Sequence, residues 1–210
     1  MAKFPEPPSL SGLERIGVRP AEQHTVKQGA RLWRIYFQNG PQPSTWNQFR
    51  AWGPTDSRFD HQPPPPAISG RKILYAATLG RVCVAEVFQT TRTVDRRRRA
   101  PWLVAIEITR DLTLLDLSGH WPTRAGASQA VNSGPRKRAQ RWSRRIYEAF
   151  PALDGIHYAS SMSGGESAVA LFERAEDAVS PSPSFHRALV DPTILPYLRA
   201  AVRRVGYAMV

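Results

Sequence analysis

The sequence predicts an α+β fold built mainly from antiparallel strands. Runs with a two-residue apolar period recur between residues 32 and 190, and runs with a 3.6-residue period interrupt them without strict alternation. A strictly alternating order would instead point to a parallel, doubly wound sheet. No internal repeat occurs, which excludes solenoids and propellers. At 210 residues, 41% hydrophobic and 10% aromatic, the chain is long and apolar enough for one core.

Residues 1–30 carry turn formers and little periodicity, apart from a helical turn near Leu10 to Ile16. They read as an extension draped on a single domain that spans 31–210. Leu32 to Phe37 is the first strand, with Trp33, Ile35 and Phe37 on one face and Leu32, Arg34 and Tyr36 on the other. Asn39 to Gly70 is expected to be a loop. Its length, with Trp46, Phe49, Trp52 and Phe59 inside it, argues for an ordered, functional segment. Within it Gly53 to Asp60 reads as a turn that places Arg58, and Pro63 to Pro66 as a polyproline spacer.

The stretch from Ile73 to Phe88 opens as a strand and turns helical after Gly80, with Leu79, Val82, Cys83 and Val87 as the apolar face. Trp102 to Ile108 and Thr113 to Leu117 are strands, expected to pair across the Thr109-Arg110-Asp111 turn. Gly119 to Gly134 reads as loop or broken helix. Lys137 to Phe150 reads as a helix with Trp142, Ile146, Ala149 and Phe150 inward. Strands follow at Gly155 to Ser160 and Ala168 to Glu173, then a short one within Phe185 to Val190. Thr193 to Arg204 closes the chain as a helix on Ile194, Leu195, Leu198 and Val202.

Composition excludes several classes. The single Cys83 allows no internal disulfide and no thiolate metal cluster, and its place on an apolar helix face suits a buried structural thiol. The N-terminal residues lack the apolar core of a secretory signal, and no apolar run is long enough to cross a bilayer, so the expected location is the cytoplasm. The net charge of +12 concentrates in two segments, Arg92 with Arg96 to Arg99, and six basic residues from Arg136 to Arg145. Such patches attract nucleic acid, phosphorylated small molecules or an acidic partner. No recognisable nucleic-acid module accompanies them.

The chemistry is narrowed by elimination. There is no Gly-rich dinucleotide fingerprint, no phosphate-binding P-loop, no His pair at zinc spacing and no nucleophile elbow around Ser160. His61, His120, His157 and His186 show no partner that would orient them. What remains is arginines on ordered elements, one glutamate on an apolar helix, and the strand end bearing Tyr158 and Ser160. Glu86 lies three residues after Cys83 and four after Val82, on the side that should be covered. An inward carboxylate is either a structural ion pair or a catalyst at a pocket floor. Arginines bind pyrophosphate bidentately. One carboxylate can hold ribose hydroxyls and stabilise an oxocarbenium-like transition state. Cleavage of the nicotinamide–ribose bond of NAD expels a neutral amine from a cationic glycoside and needs no general acid, so this set suffices for it.

Four ordered pieces resemble the RES-domain family: Leu32-Trp33-Arg34-Ile35; Gly53 through Arg58-Phe59-Asp60; Leu74-Tyr75-Ala76-Ala77 with Ala85-Glu86; and Gly155-Ile156-His157-Tyr158-Ala159-Ser160 with Ala170-Leu171-Phe172. The family comprises NAD-degrading toxins of bacterial toxin–antitoxin pairs. The resemblance implies an ADP-ribosyltransferase-like fold of mixed, mainly antiparallel sheets with a few short flanking helices. It also implies a cognate antitoxin of the Xre type that covers the active site, and NAD+ as substrate with phosphate or water as acceptor.

Residue by residue, the resemblance implies that Arg34 and Arg58 bind phosphate or the reactive ribose end, and that Tyr75 packs on the nicotinamide. It implies that Glu86 stabilises the ribosyl cation and that Ser160 hydrogen-bonds near the nicotinamide ribose. Tyr158, beside Ser160, falls on the substrate side. Neither a metal nor a bound cofactor is implied. Arg50 rivals Arg58 because four residues separate Gly53 from Arg58, and Ser161 rivals Ser160. In the empty site Glu86 is free to contact Arg34 or Arg58. A basic nucleic-acid-binding protein, or an ADP-ribosyltransferase acting on a macromolecule, are the alternative readings.

Overall fold

The computed structural model describes residues 4–210. Its mixed α/β architecture is mostly antiparallel, as the sequence predicts. Nine strands among the described residues form one sheet. These are β1 (Gln23–Val26), β2 (Arg31–Phe37), β3 (Arg50–Gly53), β4 (Ala67–Ala77), β6 (Pro101–Glu107), β7 (Leu112–Asp116), β8 (Gly155–Ala159), β9 (Ser167–Phe172) and β10 (Phe185–Ala188). The order is β1-β7-β8-β9-β4-β2-β6-β10, with β3 beside β4. Only β7 and β8 run parallel within it. A second, parallel pair joins β5 (Thr93–Val94) to β11 (Ala208–Met209).

Helix α1 (Leu10–Ile16) packs on α4 (Arg136–Ala149), α2 (Gly80–Val87) lies over β2 and β4, and α5 (Leu195–Val205) covers the outer side of α2. A short α3 (Trp121–Arg124) lies between β7 and α4. The two sheet faces each bury a cluster. Ile35, Ile73, Leu103 and Ile156 meet α2, α4 and α5, while Leu32, Tyr36, Leu74 and Val104 form the other side. This division follows from two-residue alternation along β2, β4 and β6.

Several expectations are corrected. The strands Pro101–Glu107 and Leu112–Asp116 do not pair. Both edges of β6 are taken by β2 and β10, and β7 lies between β1 and β8. The intervening turn carries the chain across the sheet because Arg110 donates to Asp154 at 2.9 Å and Asp177 at 2.8 Å, while Asp154 Oδ2 accepts the Thr113 amide. Asn39 to Gly70 is not all loop, since it contains β3 and the first residues of β4. Helix α2 is covered on two sides, so Val84 and Ala85 are buried, whereas Leu79 and Val87 remain partly open. The segment before residue 31 supplies β1 to the sheet edge.

One irregularity in the sheet makes a cleft. β2 and β4 join only at Trp33 and Ala77. Beyond that point the strands part, and β3 takes over the free edge of β4, with Arg50 opposite Ile73 and Trp52 opposite Ile68. The Cys83 thiol, 3.0 Å from the Trp33 carbonyl oxygen, donates to it at the apex of the split. Burial, with Glu86 nearby, pushes that thiol up to about 12.

Candidate active site

The cleft has two lobes that meet at Tyr75, Glu86 and Tyr158. The larger, about 590 Å³, reaches from Arg34 past Arg50 to Trp52 and Ile68. The smaller, about 430 Å³, is lined by Arg58, Arg136, Asn132 and Ser161.

Glu86 enters from the last turn of α2 and is half-buried. Its Oε1 accepts the Ser160 hydroxyl at 2.5 Å, and Gln89 Nε2 lies 3.4 Å from Oε2. Ser160 sits fully buried where β8 ends, and its Oγ also accepts the Met162 amide at 3.2 Å. A tight turn with Gly164 and Gly165 at positive φ returns the chain to β9, and it fixes Ser160 rather than the exposed Ser161 against the glutamate. The expected contact of Glu86 with Arg34 or Arg58 is not made. Among the described residues no arginine lies within ion-pair distance of Glu86, whose Oε1 is taken by Ser160.

Arg34 projects from β2 just past the apex. Its Nη1 donates to the carbonyl oxygens of Trp46 and Gln48, at 3.1 and 2.9 Å, which folds the 38–49 segment over the cleft. Burial, with Arg50 nearby, pulls its guanidinium down to about 10, which still leaves it cationic at neutral pH. Arg58 donates to the Gly134 carbonyl at 2.6 Å. Position 134 itself needs glycine, since a Cβ there would lie 2.7 Å from the Ala130 oxygen and 3.0 Å from the Phe4 ring. Burial and the neighbouring Arg136 lower the Arg58 guanidinium, and the Glu86 carboxylate opposes them.

Both rival arginines therefore border the cleft, Arg50 in the larger lobe and Arg58 in the smaller. Tyr75 and Tyr158 stand between them. Burial raises both phenols well above their usual value, with Asp60 adding to the effect on Tyr75 and Glu86 to that on Tyr158. Both stay neutral donors.

A buried carboxylate organises the larger lobe. Asp60 is fully covered and accepts from the Tyr75 hydroxyl (2.9 Å), Arg50 Nη2 (2.6 Å), and the amide and hydroxyl of Thr55 (2.6 and 2.7 Å). Beside it Gly53 lets Gln62 and Arg50 approach, since a Cβ there would fall 2.7 Å from Gln62 Oε1. The sequence brings Asp60 forward as part of a motif but not as this hub. Arg136, the first residue of the second basic segment, borders the smaller lobe, bound to Asp56 at 2.6 Å and to Gln89 at 2.8 Å. Sequence reasoning missed Gln89, just past the end of α2, where its amide donates to the Glu86 carbonyl oxygen; its signal is the three-residue spacing from Glu86. His157 does have orienting partners, Asp116 at 2.8 Å and Ser167 at 2.7 Å, and it stacks on His24, yet it lies outside both lobes.

The family model of the RES domain matches residues 31–191. The chain belongs to the RES domain family. A solved structure similar to this RES domain comes from the crystal structure of the M. tuberculosis MbcT–MbcA toxin–antitoxin complex, with a TM-score of 0.59 and 19% sequence identity. The match covers 91% of this chain and 100% of the other, and at that identity it shows a shared fold. No curated protein matches the chain. The matched span contains all four quoted motifs and every residue that meets at the junction of the lobes. Among the described residues, no helix of this RES domain is long and apolar enough to cross a membrane, and no group of three or more His, Cys, Asp or Glu could hold a metal ion.

Proposed function

We propose that this RES domain cleaves the nicotinamide–ribose bond of NAD+, acting as a cytoplasmic toxin that a cognate Xre-type antitoxin neutralises. The observation that carries the reading is the Ser160–Glu86 contact of 2.5 Å at the junction of two arginine-bearing lobes. A fixed carboxylate facing a cleft suits a cation that develops at C1′ of the ribose. As the C1′–N bond breaks, its electron pair leaves with neutral nicotinamide, and an oxygen of phosphate or water forms the new bond to C1′. A water acceptor releases its proton to solvent. Arg34, with Arg58 or its rival Arg50, would hold the phosphates, and Tyr75 and Tyr158 the nicotinamide ribose end. The toxin–antitoxin complex that contains the structural neighbour supports the partner.

Four of the six basic residues in the second basic segment are already paired within the chain, which leaves that segment less free charge for a nucleic acid. On α4, Arg138 and Arg141 bind Glu6, Arg145 binds Glu148 and Arg136 binds Asp56. Phosphorus NMR of NAD+ incubated with the purified, antitoxin-free chain, with and without phosphate, tests the reading. Loss of NAD+ that Glu86→Ala abolishes is expected, and the product spectrum identifies the acceptor. Unchanged NAD+ in both conditions would overturn it, and label transferred from NAD+ to protein or RNA would replace it with macromolecular ADP-ribosylation.

A further inference from the structure

We propose that Trp52 and Ile68, paired across β3 and β4 at the outer end of the larger lobe, form the platform on which the adenine of the dinucleotide stacks. The inference rests on the NAD+ reading above and assigns the second half of that substrate to a place. Trp52 is 40% exposed and Ile68 81% exposed, although each belongs to a sheet strand directly opposite the other. Large apolar side chains left open side by side at the mouth of a cavity mark a binding surface better than scattered ones do.

The register sets the sequence of features along the lobe. Ala77 meets Trp33 at the apex beside Arg34, Tyr75 lies two residues back along β4, Ile73 faces Arg50 next, and Ile68 faces Trp52 last. From the apex outward the lobe therefore offers Arg34 with the Glu86 junction, then the Arg50 guanidinium, then an apolar aromatic surface. The substrate carries the same order: the reactive glycosidic bond, a dianionic pyrophosphate and a flat base. Arg50 is held between Asp60 and the Trp52 carbonyl, so the cationic and aromatic parts of the arm are fixed to each other. The smaller lobe ends in Arg136 and Asn132 and has no comparable apolar pair.

Calorimetric titration of the full chain with ADP-ribose and with ribose 5-phosphate, which lacks the base, tests the platform. Stacking of a base on an aromatic side chain predicts that Trp52→Ala weakens ADP-ribose by about tenfold or more and leaves ribose 5-phosphate unchanged. Trp52→Phe keeps ADP-ribose within about threefold, because every aromatic face can stack. In turnover, Trp52→Ala should raise KM for NAD+ by a similar factor with kcat little changed. ADP-ribose bound equally by Trp52→Ala and the native chain, or both ligands weakened alike, would overturn the platform while NAD+ loss persists. A native chain that neither consumes NAD+ nor binds ADP-ribose would instead overturn the NAD+ reading, and the platform with it.

Discussion

The Tyr75 hydroxyl donates to Asp60 Oδ1 at 2.9 Å and accepts the Phe59 amide at 3.0 Å, so one buried carboxylate sets the angle of a ring at the junction of the cleft. Arg50 and Thr55 share that carboxylate. Asp60→Asn presents an NH₂ group to at least one of these donors. It is expected to cost about 3–5 kcal/mol of stability, the range for removing one member of a buried charge pair. It should also lower kcat/KM for NAD+ by more than about tenfold. Tyr75→Phe keeps the ring and loses only about 1 kcal/mol. Denaturant melts and NAD+ turnover of the two variants check this; an Asp60→Asn chain as stable and active as the native one would remove Asp60 from the site.

The Glu86 carboxylate depends on Ser160 for its orientation. Hydrogen bonds to charged groups contribute about 1.5–3 kcal/mol. Ser160→Ala should therefore lower kcat between about 10- and 100-fold, while Glu86→Gln should abolish turnover because the neutral amide cannot stabilise a cation. Neighbouring Ser161 is exposed, and Ser161→Ala should keep kcat within about twofold. Single-turnover rates of NAD+ loss separate the three. Equal rates for Ser160→Ala and Ser161→Ala would contradict the geometry.

Much of this arrangement was legible because its elements obey local rules. Alternation along Leu32 to Phe37 placed Arg34 on the face opposite Ile35, and Gly80 followed by apolar residues at helical spacing placed Glu86 at a helix end. What escaped were strands without an apolar period. Gln23–Val26 is polar at three of four positions, and the outer part of β4, Ala67 to Lys72, is open enough to carry Ser69, Gly70, Arg71 and Lys72. Pairing escaped as well. A turn at Thr109 to Asp111 suggested a hairpin, but the partners of β7 are decided by Asp154 and by β1, which lie 41 or more residues away in the chain. The hub at Asp60 was invisible for the same reason, since its donors gather only when β3, the 55–57 turn and β4 come together.

The N-terminal segment is tied down by Arg124, whose guanidinium contacts Glu22 with two nitrogens and donates to the Ile16 and Gly17 carbonyls at 2.7 and 2.9 Å. The hydrogen bonds from Arg124 hold the Glu22 carboxyl below its ordinary value of 4.5. Because the folded value is the lower one, the stabilisation is complete above about 4.5 and is lost as pH falls through the folded value. Arg124→Ala should reduce this acid dependence, to which the Arg19 amide also contributes, lower the melting temperature at pH 7, and raise hydrogen exchange in residues 10–26. Melts of the native chain and the variant from pH 7 to pH 3 should converge toward the acid end. A constant offset across that range would show that the pair contributes nothing that titrates.

Cys83 closes the apex of the split between β2 and β4, where it reaches from α2 to donate to the Trp33 carbonyl and is buried. With its thiol pushed up to about 12, almost no thiolate exists at pH 8. The folded chain should therefore resist alkylation by iodoacetamide at pH 8 for hours and react fully once denatured, as mass spectrometry of timed samples would show. Cys83→Ser keeps a donor to the Trp33 oxygen in a similar volume, so NAD+ turnover should remain within about threefold, whereas Cys83→Ala removes that hydrogen bond at a cost of about 1 kcal/mol. Rapid labelling of the native chain would mean that the strands part at Trp33 and Ala77 far more often than a closed apex allows. The cleft would then open and close at its root rather than stand preformed.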